Sequence, residues 1–378
     1  MKKRVLLVQR RMTHYRISFF EILKKTMALY DIELIVAYGN PTITEAEKKD
    51  SGNLSWGTHL KTHYFFNGKI CWQPFSHLVK NVDAVIITHE NKLIFNLIPQ
   101  WFWKNKKVIL WGHGENLQKE SPDWRDAFKR VTANKADWWL AYTDMSVPLI
   151  KKSGFPVERI TVLNNTIDTK EFQNHLSSVS KNKILELRSQ YDITGDNIGI
   201  FIGSLYEEKR IDFLIDSALK IRKKLPDFEL IIAGDGKLRE FVEKQSFLYP
   251  WIHYVGAIKG IDKATLLSIS KIMLNPGLVG LGILDSFLSH TPMITTDCGL
   301  HSPEVVYLSH MNNGIMTKND LEEYSETIIE VLLDSSLLDK LCEGCKAAGA
   351  QYTLDNMAIN FTNGVLAALD HSFYRFSQ

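Results

Sequence analysis

The stretch 198-IGIFIGSLYEEKRIDFLIDSALKIRKKLPDFELIIAGDG-236 decides the fold. Its first segment, IGIFIGSL (198–205), is a short apolar run typical of a buried strand. Residues 210–225 then place apolar side chains at helical spacing, and FELIIAG (228–234) is a second apolar run. A strand, a helix and a second strand in this order predict a parallel sheet covered by helices.

The same alternation occupies both halves of the chain. Strands are predicted at the apolar runs 4–9, 32–39, 83–89, 106–114, 137–143, 252–258, 271–277 and 292–297. Between them, the sequence changes character around 160–190: ERITVLNNTID (158–168) is predicted to be a strand followed by a polar turn, and the polar residues after it are predicted to be a connector. The pattern predicts an α/β protein with one domain at 1–180, a second at 190–355, and a C-terminal helix at 356–378 that packs back on the first.

Composition narrows the class of protein. The 378 residues carry a net charge of +2, which does not indicate a nucleic-acid partner. Residues 1–180 hold 26 Lys/Arg against 17 Asp/Glu, whereas residues 181–378 hold 19 against 26. Either the first half faces something anionic, or the split reflects chance and solvation. No apolar run reaches the roughly 20 residues needed to span a bilayer, so a cytoplasmic protein is expected.

Metal binding is not expected. The four cysteines include one CxxC pair, Cys342 and Cys345, without the second pair that a zinc site requires.

Chemically informative residues follow predicted strands in the second half. Gly203 permits a turn, and Lys209 with Arg210 arrives as a helix begins, which suits a diphosphate site; the alternative is a solvated basic pair. Gly234, in the turn GDG, would let a ligand approach the backbone, although an ordinary turn is the competing interpretation. No glycine follows the first strand of the chain, which argues against a dinucleotide-dependent enzyme.

The segment NPGLVGLGILDSFLSHTPMITTD (275–297) carries a second group of candidates. The amides of Gly280 and Leu281 are expected to point along a new helix toward an anion. Asp285 lies one turn further and could accept hydrogen bonds from ribose hydroxyls. Its alternative role is that of an acid complementing the helix dipole.

In the first half, polar loops end neighbouring strands. The candidate catalytic residues here are His89, together with His113 and Glu115 of LWGHGEN (110–116). The alternative is that the two histidines are structural. Beyond the first predicted strand, at 4–9, a further group is predicted to face the same edge of the sheet as these loops, on the acceptor or phosphate side. It consists of Arg10, Arg11, Tyr15 and Arg16. The aromatic and basic segment 93–107 suggests contact with a membrane surface or lipid acceptor, or else a buried helix ending in a basic turn.

The second half resembles the retaining GT-B glycosyltransferases of the large glycogen-synthase-like group. LNNTID, FIGSLYEEKRIDFLI, IIAGDG, IHYVGAI and PGLVGLGILDSFLSHTPMITTD match its motifs in order. The resemblance implies two Rossmann-like, doubly wound domains facing a central cleft. It also implies that Lys209 neutralises the donor diphosphate, that Gly280 and Leu281 supply amides, that Asp285 holds the ribose, and that His113 lines the reaction centre. The backbone near Ala257 and Ile258 would then contact the base.

Three positions depart from that family. Ser204 stands where an arginine is usual, Asp285 replaces a glutamate, and Gly277 replaces the glutamate that normally lies near the sugar. These departures put the transferred sugar in question. Lys209, Arg210 or an arginine of the first domain would have to replace the missing charge.

The function implied is a hexosyl-type glycosyltransferase of cell-surface polysaccharide synthesis, such as lipopolysaccharide or capsule. Its partners would be a nucleotide-diphosphate-sugar donor and a glycan or lipid-linked acceptor, without metal or other cofactor. Peripheral contact with the inner face of the cytoplasmic membrane is a further hypothesis. A sugar-nucleotide epimerase of GT-B architecture and a non-catalytic sugar-nucleotide-binding protein are the alternatives.

Overall fold

A computed structural model describes residues 2–46, 50–90, 92–114 and 130–371. The described chain divides into two compact units, one formed by Met1–Asp168 with Thr353–Gln378 and the other by Thr169–Tyr352. The boundary therefore lies before residue 180, because residues 170–190, predicted to be a polar connector, form two helices that pack within unit 2.

Unit 1 is built on a seven-stranded parallel sheet in the order β3-β2-β1-β6-β7-β8-β9. Its strands are β1 (Lys3–Arg11), β2 (Ile32–Gly39), β3 (Thr58–His59), β6 (Ala84–Thr88), β7 (Lys107–Gly112), β8 (Trp138–Ala141) and β9 (Ile160–Val162). An antiparallel hairpin, β4 (His63–Phe65) and β5 (Ile70–Trp72), stands outside this sheet. The helices are α1 (Ile17–Ala28), α2 (Ile43–Ala46), α3 (Leu97–Phe102), α4 (Ser146–Lys152) and α13 (Leu354–Asp370).

The central strands of unit 1 are buried on both faces, as expected for continuous apolar runs in a parallel sheet. On one face, helices α1 and α13 cover the sheet. The ring of Phe361 on α13 packs 5.7 Å from that of Phe19 and 5.3 Å from that of Trp111, measured between centroids. The C-terminal helix is thus part of the core of unit 1.

Unit 2 contains a six-stranded parallel sheet in the order β12-β11-β10-β13-β14-β15. Its strands are β10 (Asn197–Ile202), β11 (Phe228–Ala233), β12 (Ile252–Gly256), β13 (Ile272–Leu274), β14 (Met293–Thr296) and β15 (Gly314–Thr317). The helices are α5 (Lys170–Ser177), α6 (Lys181–Gln190), α7 (Ile211–Lys224), α8 (Arg239–Leu248), α9 (Gly260–Ser268), α10 (Gly282–Leu288), α11 (Leu321–Leu333) and α12 (Ser335–Gln351).

Both sheets reverse their strand order beside the first strand of the unit. In unit 1 the reversal lies between β1 and β6, and in unit 2 it lies between β10 and β13. Ligands of open parallel sheets bind beyond the carboxyl ends of strands at such a reversal. The predicted α/β class with parallel sheets in two domains is confirmed.

Candidate functional site

The loops after β10 and β13 meet at the strand reversal of unit 2. Lys209 ends a short 3-10 helix, Glu207–Lys209, in the first of these loops. Its Nζ donates a hydrogen bond to the carbonyl oxygen of Leu278 in the second loop. This contact brings Lys209, which is predicted to bind the diphosphate, next to the segment that contains Gly280 and Leu281.

Lys209 is a buried cation without an ion-pair partner among the residues that the structure describes. Only 9% of its surface is exposed. Burial lowers the pKa of Lys209 to about 8, because desolvation disfavours the charged ammonium. An anion would compensate that cost, so the electrostatics of this lysine suit a bound diphosphate.

Gly277 is required by the approach of the Lys209 loop. A Cβ atom at this position would lie 2.3 Å from the carbonyl oxygen of Glu208 and 2.6 Å from the carbonyl carbon of Lys209. The Leu278 N–H also donates to the Glu208 carbonyl oxygen at 2.8 Å. The glycine that departs from the family pattern therefore permits the contact that positions Lys209.

Arg210 supports the same loops. Its backbone is left-handed, with φ 55°, and its Nη1 donates to the Pro276 carbonyl oxygen at 3.2 Å and to Thr296 Oγ1 at 3.0 Å. The guanidinium also lies 4.2 Å from the centroid of the Phe213 ring. Arg210 therefore stabilises the loop after β13 through these hydrogen bonds, and its guanidinium is not a free cation.

The segment Gly280–Leu281 is held by a residue that sequence reasoning missed. His301 Nδ1 accepts a hydrogen bond from the Val279 N–H at 3.1 Å, and the Ser302 N–H donates to the Val279 carbonyl oxygen at 2.9 Å. Because Nδ1 is the acceptor, the proton of the neutral ring lies on Nε2, which donates to the Thr296 carbonyl oxygen at 2.9 Å. His301 and Ser302 together clamp both backbone groups of Val279, just before Gly280.

Leu281 is the N-cap of α10. Among the described residues, the amides of Gly280 and Leu281 donate to no acceptor. These two N–H groups are therefore unengaged within the described part of the chain, and their binding to an anion stays a prediction.

Gly203 and Gly234 lie where two loops touch. Gly234 has φ +153°, and a Cβ there would lie 1.8 Å from the carbonyl oxygen of Gly203. The close packing of the two loops therefore requires a glycine at position 234. Ala257 and Ile258 follow β12 and the left-handed Gly256 (φ +68°), with Ala257 exposed. No contact in the structure assigns these residues to a base.

Asp285 is engaged in an ion pair. Its Oδ1 lies 2.6 Å from Nζ of Lys263 on α9, and the Lys263 ammonium also lies 4.7 Å from the centroid of the Phe172 ring. Burial raises the pKa of Asp285, while Lys263 opposes the rise. The partner was not apparent in the sequence, because the packing of α9 beside α10 brings it there. A ribose at Asp285 would therefore share the carboxylate with Lys263.

At the corresponding edge of unit 1, two of the predicted arginines are neutralised. Arg10 forms two hydrogen bonds with Glu45, at 2.7 and 2.6 Å, and its Nε lies 3.5 Å from Glu90. Arg11 likewise forms a two-bond pair with Asp50, at 2.7 and 2.9 Å. Both side chains hold loops together and are not free cations for an acceptor.

Arg16 differs from them because it has no carboxylate partner among the described residues. Its guanidinium carbon lies 5.1 Å from the centroid of the Trp111 ring and 5.7 Å from those of Tyr15 and Tyr142. The His113 ring lies 4.0 Å from the Tyr142 ring. The pKa of His113 is lowered to about 4 by burial of the inner side of its ring and by the nearby Arg16 cation. The residue nevertheless keeps an exposed surface.

Two other candidate catalytic residues were predicted, His89 and Glu115. The His89 N–H donates to the Trp111 carbonyl oxygen at 3.2 Å, so His89 lies next to this group. His89 Nε2 lies 3.0 Å from Thr132 Oγ1, and its ring packs 5.1 Å from that of Trp139. These contacts are those of a packed structural histidine. Glu115 lies outside the described residues.

Part of the chain is similar in sequence to known glycosyltransferases. Residues 196–334 match the model of the family described as Glycosyl transferases group 1. The chain is 25% identical over 133 residues to the alpha-D-kanosaminyltransferase of Streptomyces kanamyceticus, covering 34% of this chain and 32% of that protein. It is 21% identical over 306 residues to the 2-deoxystreptamine N-acetyl-D-glucosaminyltransferase of Niallia circulans, covering 75% and 76%. The chain thus spans about a third of one relative and three quarters of the other.

Solved structures are similar over nearly the whole length. Anabaena Alr3699/HepE in complex with UDP superposes with a TM-score of 0.66 at 14% identity, covering 97% of this chain and all of that one. The UDP-GlcNAc 2-epimerase of Methanocaldococcus jannaschii gives a TM-score of 0.55 at 14% identity, covering 89% and 93%. These likenesses show the fold. Residues 196–334 of this chain are thus similar to the glycosyl transferases group 1 family, within a chain that has the GT-B fold.

Proposed function

We propose that this protein is a nucleotide-sugar-dependent glycosyltransferase. The observation that carries the proposal is the buried, unpaired Lys209 beside the free amides of Gly280 and Leu281, inside the matched family segment. In the proposed reaction, the bond between the anomeric carbon and the diphosphate oxygen breaks. The acceptor hydroxyl oxygen bonds to that carbon and its proton passes to the released diphosphate.

Lys209 and the two amides have the chemistry that this step requires. Negative charge develops on the departing diphosphate, and preorganised donors in a water-poor site stabilise such charge most effectively. We assign this charge neutralisation to the chain's own groups, without a metal. Retention of configuration and transfer of a hexose are parts of the proposal, and they rest on the resemblance of the second-half motifs.

A donor screen tests the proposal. The purified protein is incubated with UDP-, GDP- and dTDP-sugars, with and without saccharide acceptors, and nucleotide release is measured. A glycosyltransferase releases nucleoside diphosphate faster with a suitable acceptor. An epimerase, suggested by the similar epimerase structure, converts the donor sugar without releasing nucleotide. A binding protein gives saturable binding and no product, and either of these results would overturn the proposal.

We further propose a glycan or lipid-linked acceptor of a cell-surface polysaccharide, reached at the cytoplasmic face of a membrane. Within the described residues, no helix is both long enough and apolar enough to cross a bilayer. The supporting surface is a depression of about 530 Å³ lined by residues such as Lys80, Phe102 and Lys104, of which Phe102 is 74% exposed. An aromatic side chain beside lysines suits an anionic membrane surface.

Liposome co-sedimentation tests this contact. Lys106 and Lys107 are poor probes, because they bond to the carbonyl oxygens of Val82 and His371. Replacing Phe102 and Lys104 together should abolish binding to anionic liposomes. Replacing Phe247, which is 87% exposed in unit 2, should leave it unchanged. Equal binding by both variants would reject the contact.

A further inference from the structure

Arg16 lies in an unusual setting in unit 1. Its guanidinium contacts three aromatic rings, those of Tyr15, Trp111 and Tyr142, at 5.1 to 5.7 Å from their centroids. Trp111 is fully buried and Arg16 is half-buried. The rings stabilise the cation through their quadrupoles, but they provide no negative charge.

Two nitrogen donors of this cluster lack an acceptor. Arg16 Nη1 and Trp111 Nε1 are both buried, and neither has a hydrogen-bond partner within the described ranges. A buried donor without a partner costs about 1–3 kcal/mol, and more when the group is charged. Native structures retain such groups where a ligand or water supplies the missing acceptor.

Charge in the surrounding loops does not meet this need. The acidic residues near the end of β1 are already engaged, since Glu45 pairs with Arg10 and Asp50 with Arg11. His113, whose pKa is lowered by burial and by the Arg16 cation, provides no negative charge. Arg16 is therefore the arginine of this edge whose charge stays uncompensated among the described residues.

From this arrangement we infer that Arg16 binds an anionic group of the acceptor, a phosphate or a carboxylate, beside the rings of Tyr15 and Tyr142, which are not fully buried. This inference rests on the proposed function, because it identifies the acceptor class of that reaction. The guanidinium would pair with the anion in a fork geometry. The Tyr142 and His113 rings, whose centroids lie 4.0 Å apart and whose planes are inclined by 48°, would give an aromatic surface beside the anion for an apolar or sugar face.

The test measures binding instead of turnover, so its outcome is independent of the proposed reaction. The protein is first saturated with UDP to occupy the diphosphate site of unit 2. Phenyl phosphate, benzoate and neutral benzyl alcohol are then titrated at constant ionic strength and followed by ligand-observed NMR. The first two probes distinguish a phosphate-bearing acceptor from a carboxylate-bearing one.

We expect saturable binding of at least one anionic probe in the presence of UDP, and none of benzyl alcohol. Arg16→Gln should weaken that binding by roughly tenfold or more, since hydrogen bonds to charged groups contribute that much. Arg16→Lys should retain part of it, because it keeps the charge but loses the planar fork. Arg4→Gln is the matched control: Arg4 lies in the same unit, on β1, and already pairs with Glu33 at 3.3 Å.

A cooperative thermal unfolding transition establishes that each variant is folded. If Arg16→Gln does not fold, Arg16→Lys is compared with wild type in its place. Equal anion binding by wild type and Arg16→Gln would overturn the inference. Displacement of the probe by UDP, equal binding of benzyl alcohol or no binding of either anion would also overturn it. If an anion binds at Arg16 but no nucleotide sugar is consumed, the proposed function fails while the anion site stands.

Discussion

The two units have similar parallel sheets but handle positive charge differently at the strand reversal. In unit 1, Arg10 and Arg11 are the last two residues of β1 and are neutralised by Glu45 and Asp50 in two-bond pairs. In unit 2, Lys209 follows β10 and is buried without a carboxylate partner among the described residues. The fold provides the location in both cases, whereas the local balance of charge decides whether a cation is available to a ligand.

Removing the available cation should have the largest effect. Lys209→Ala is expected to lower kcat/KM for the donor by about a hundredfold or more, because a preorganised charge donor is lost from the transition state. The measurement is nucleotide release under steady-state conditions. Lys220→Ala on α7 is the control, since that lysine is exposed and paired with Glu322. Similar kcat/KM values for Lys209→Ala and wild type would remove Lys209 from the site.

Displacing the Lys209 loop without changing its charge should have the next largest effect. In Gly277→Ala, the new methyl group would meet the backbone of Glu208 at 2.3 Å. Overpacking of this kind typically costs about 1–3 kcal/mol, and donor affinity should fall with it. Denaturant unfolding and UDP binding measure the two effects. Gly282→Ala is the matched control, because nothing lies within 4 Å of its added Cβ; equal stability and affinity of both variants would contradict the packing account.

Loosening the Val279 clamp should have a smaller effect. His301→Ala removes the acceptor for the Val279 N–H and the donor to the Thr296 carbonyl oxygen. Since His301 acts through the loop, we expect donor KM to rise by roughly fivefold while kcat changes less, in line with about 1 kcal/mol for a hydrogen bond. His301→Asn, whose amide oxygen can accept from Val279, should recover part of the loss. A fall in kcat alone, without recovery by Asn, would contradict a positioning role.

Sequence reasoning located strands and sites better than it identified partners. The apolar runs identified the buried strands, and the glycines and cations at their ends led to Lys209 and Gly280. The short strands β3, β4, β5 and β15 lack such runs and were missed. The Lys263–Asp285 and Arg10–Glu45 pairs join residues 22 and 35 positions apart, so they depend on how neighbouring elements pack. Gly277 was identified as a departure from the family, but its reason appears only in the backbone contact with Glu208.

The pKa of Lys209 provides the most direct test of the central claim. In the free protein, burial holds this pKa near 8, so the lysine loses its proton as the pH rises through that value. A bound diphosphate would raise the pKa again, so binding at pH 8.5 should take up part of a proton. The measurement is calorimetry of UDP binding at pH 8.5 in buffers with different ionisation enthalpies, for wild type and Lys209→Met. The account predicts proton uptake by wild type and none by Lys209→Met; equal uptake by both proteins, or UDP binding by wild type without uptake, would contradict it.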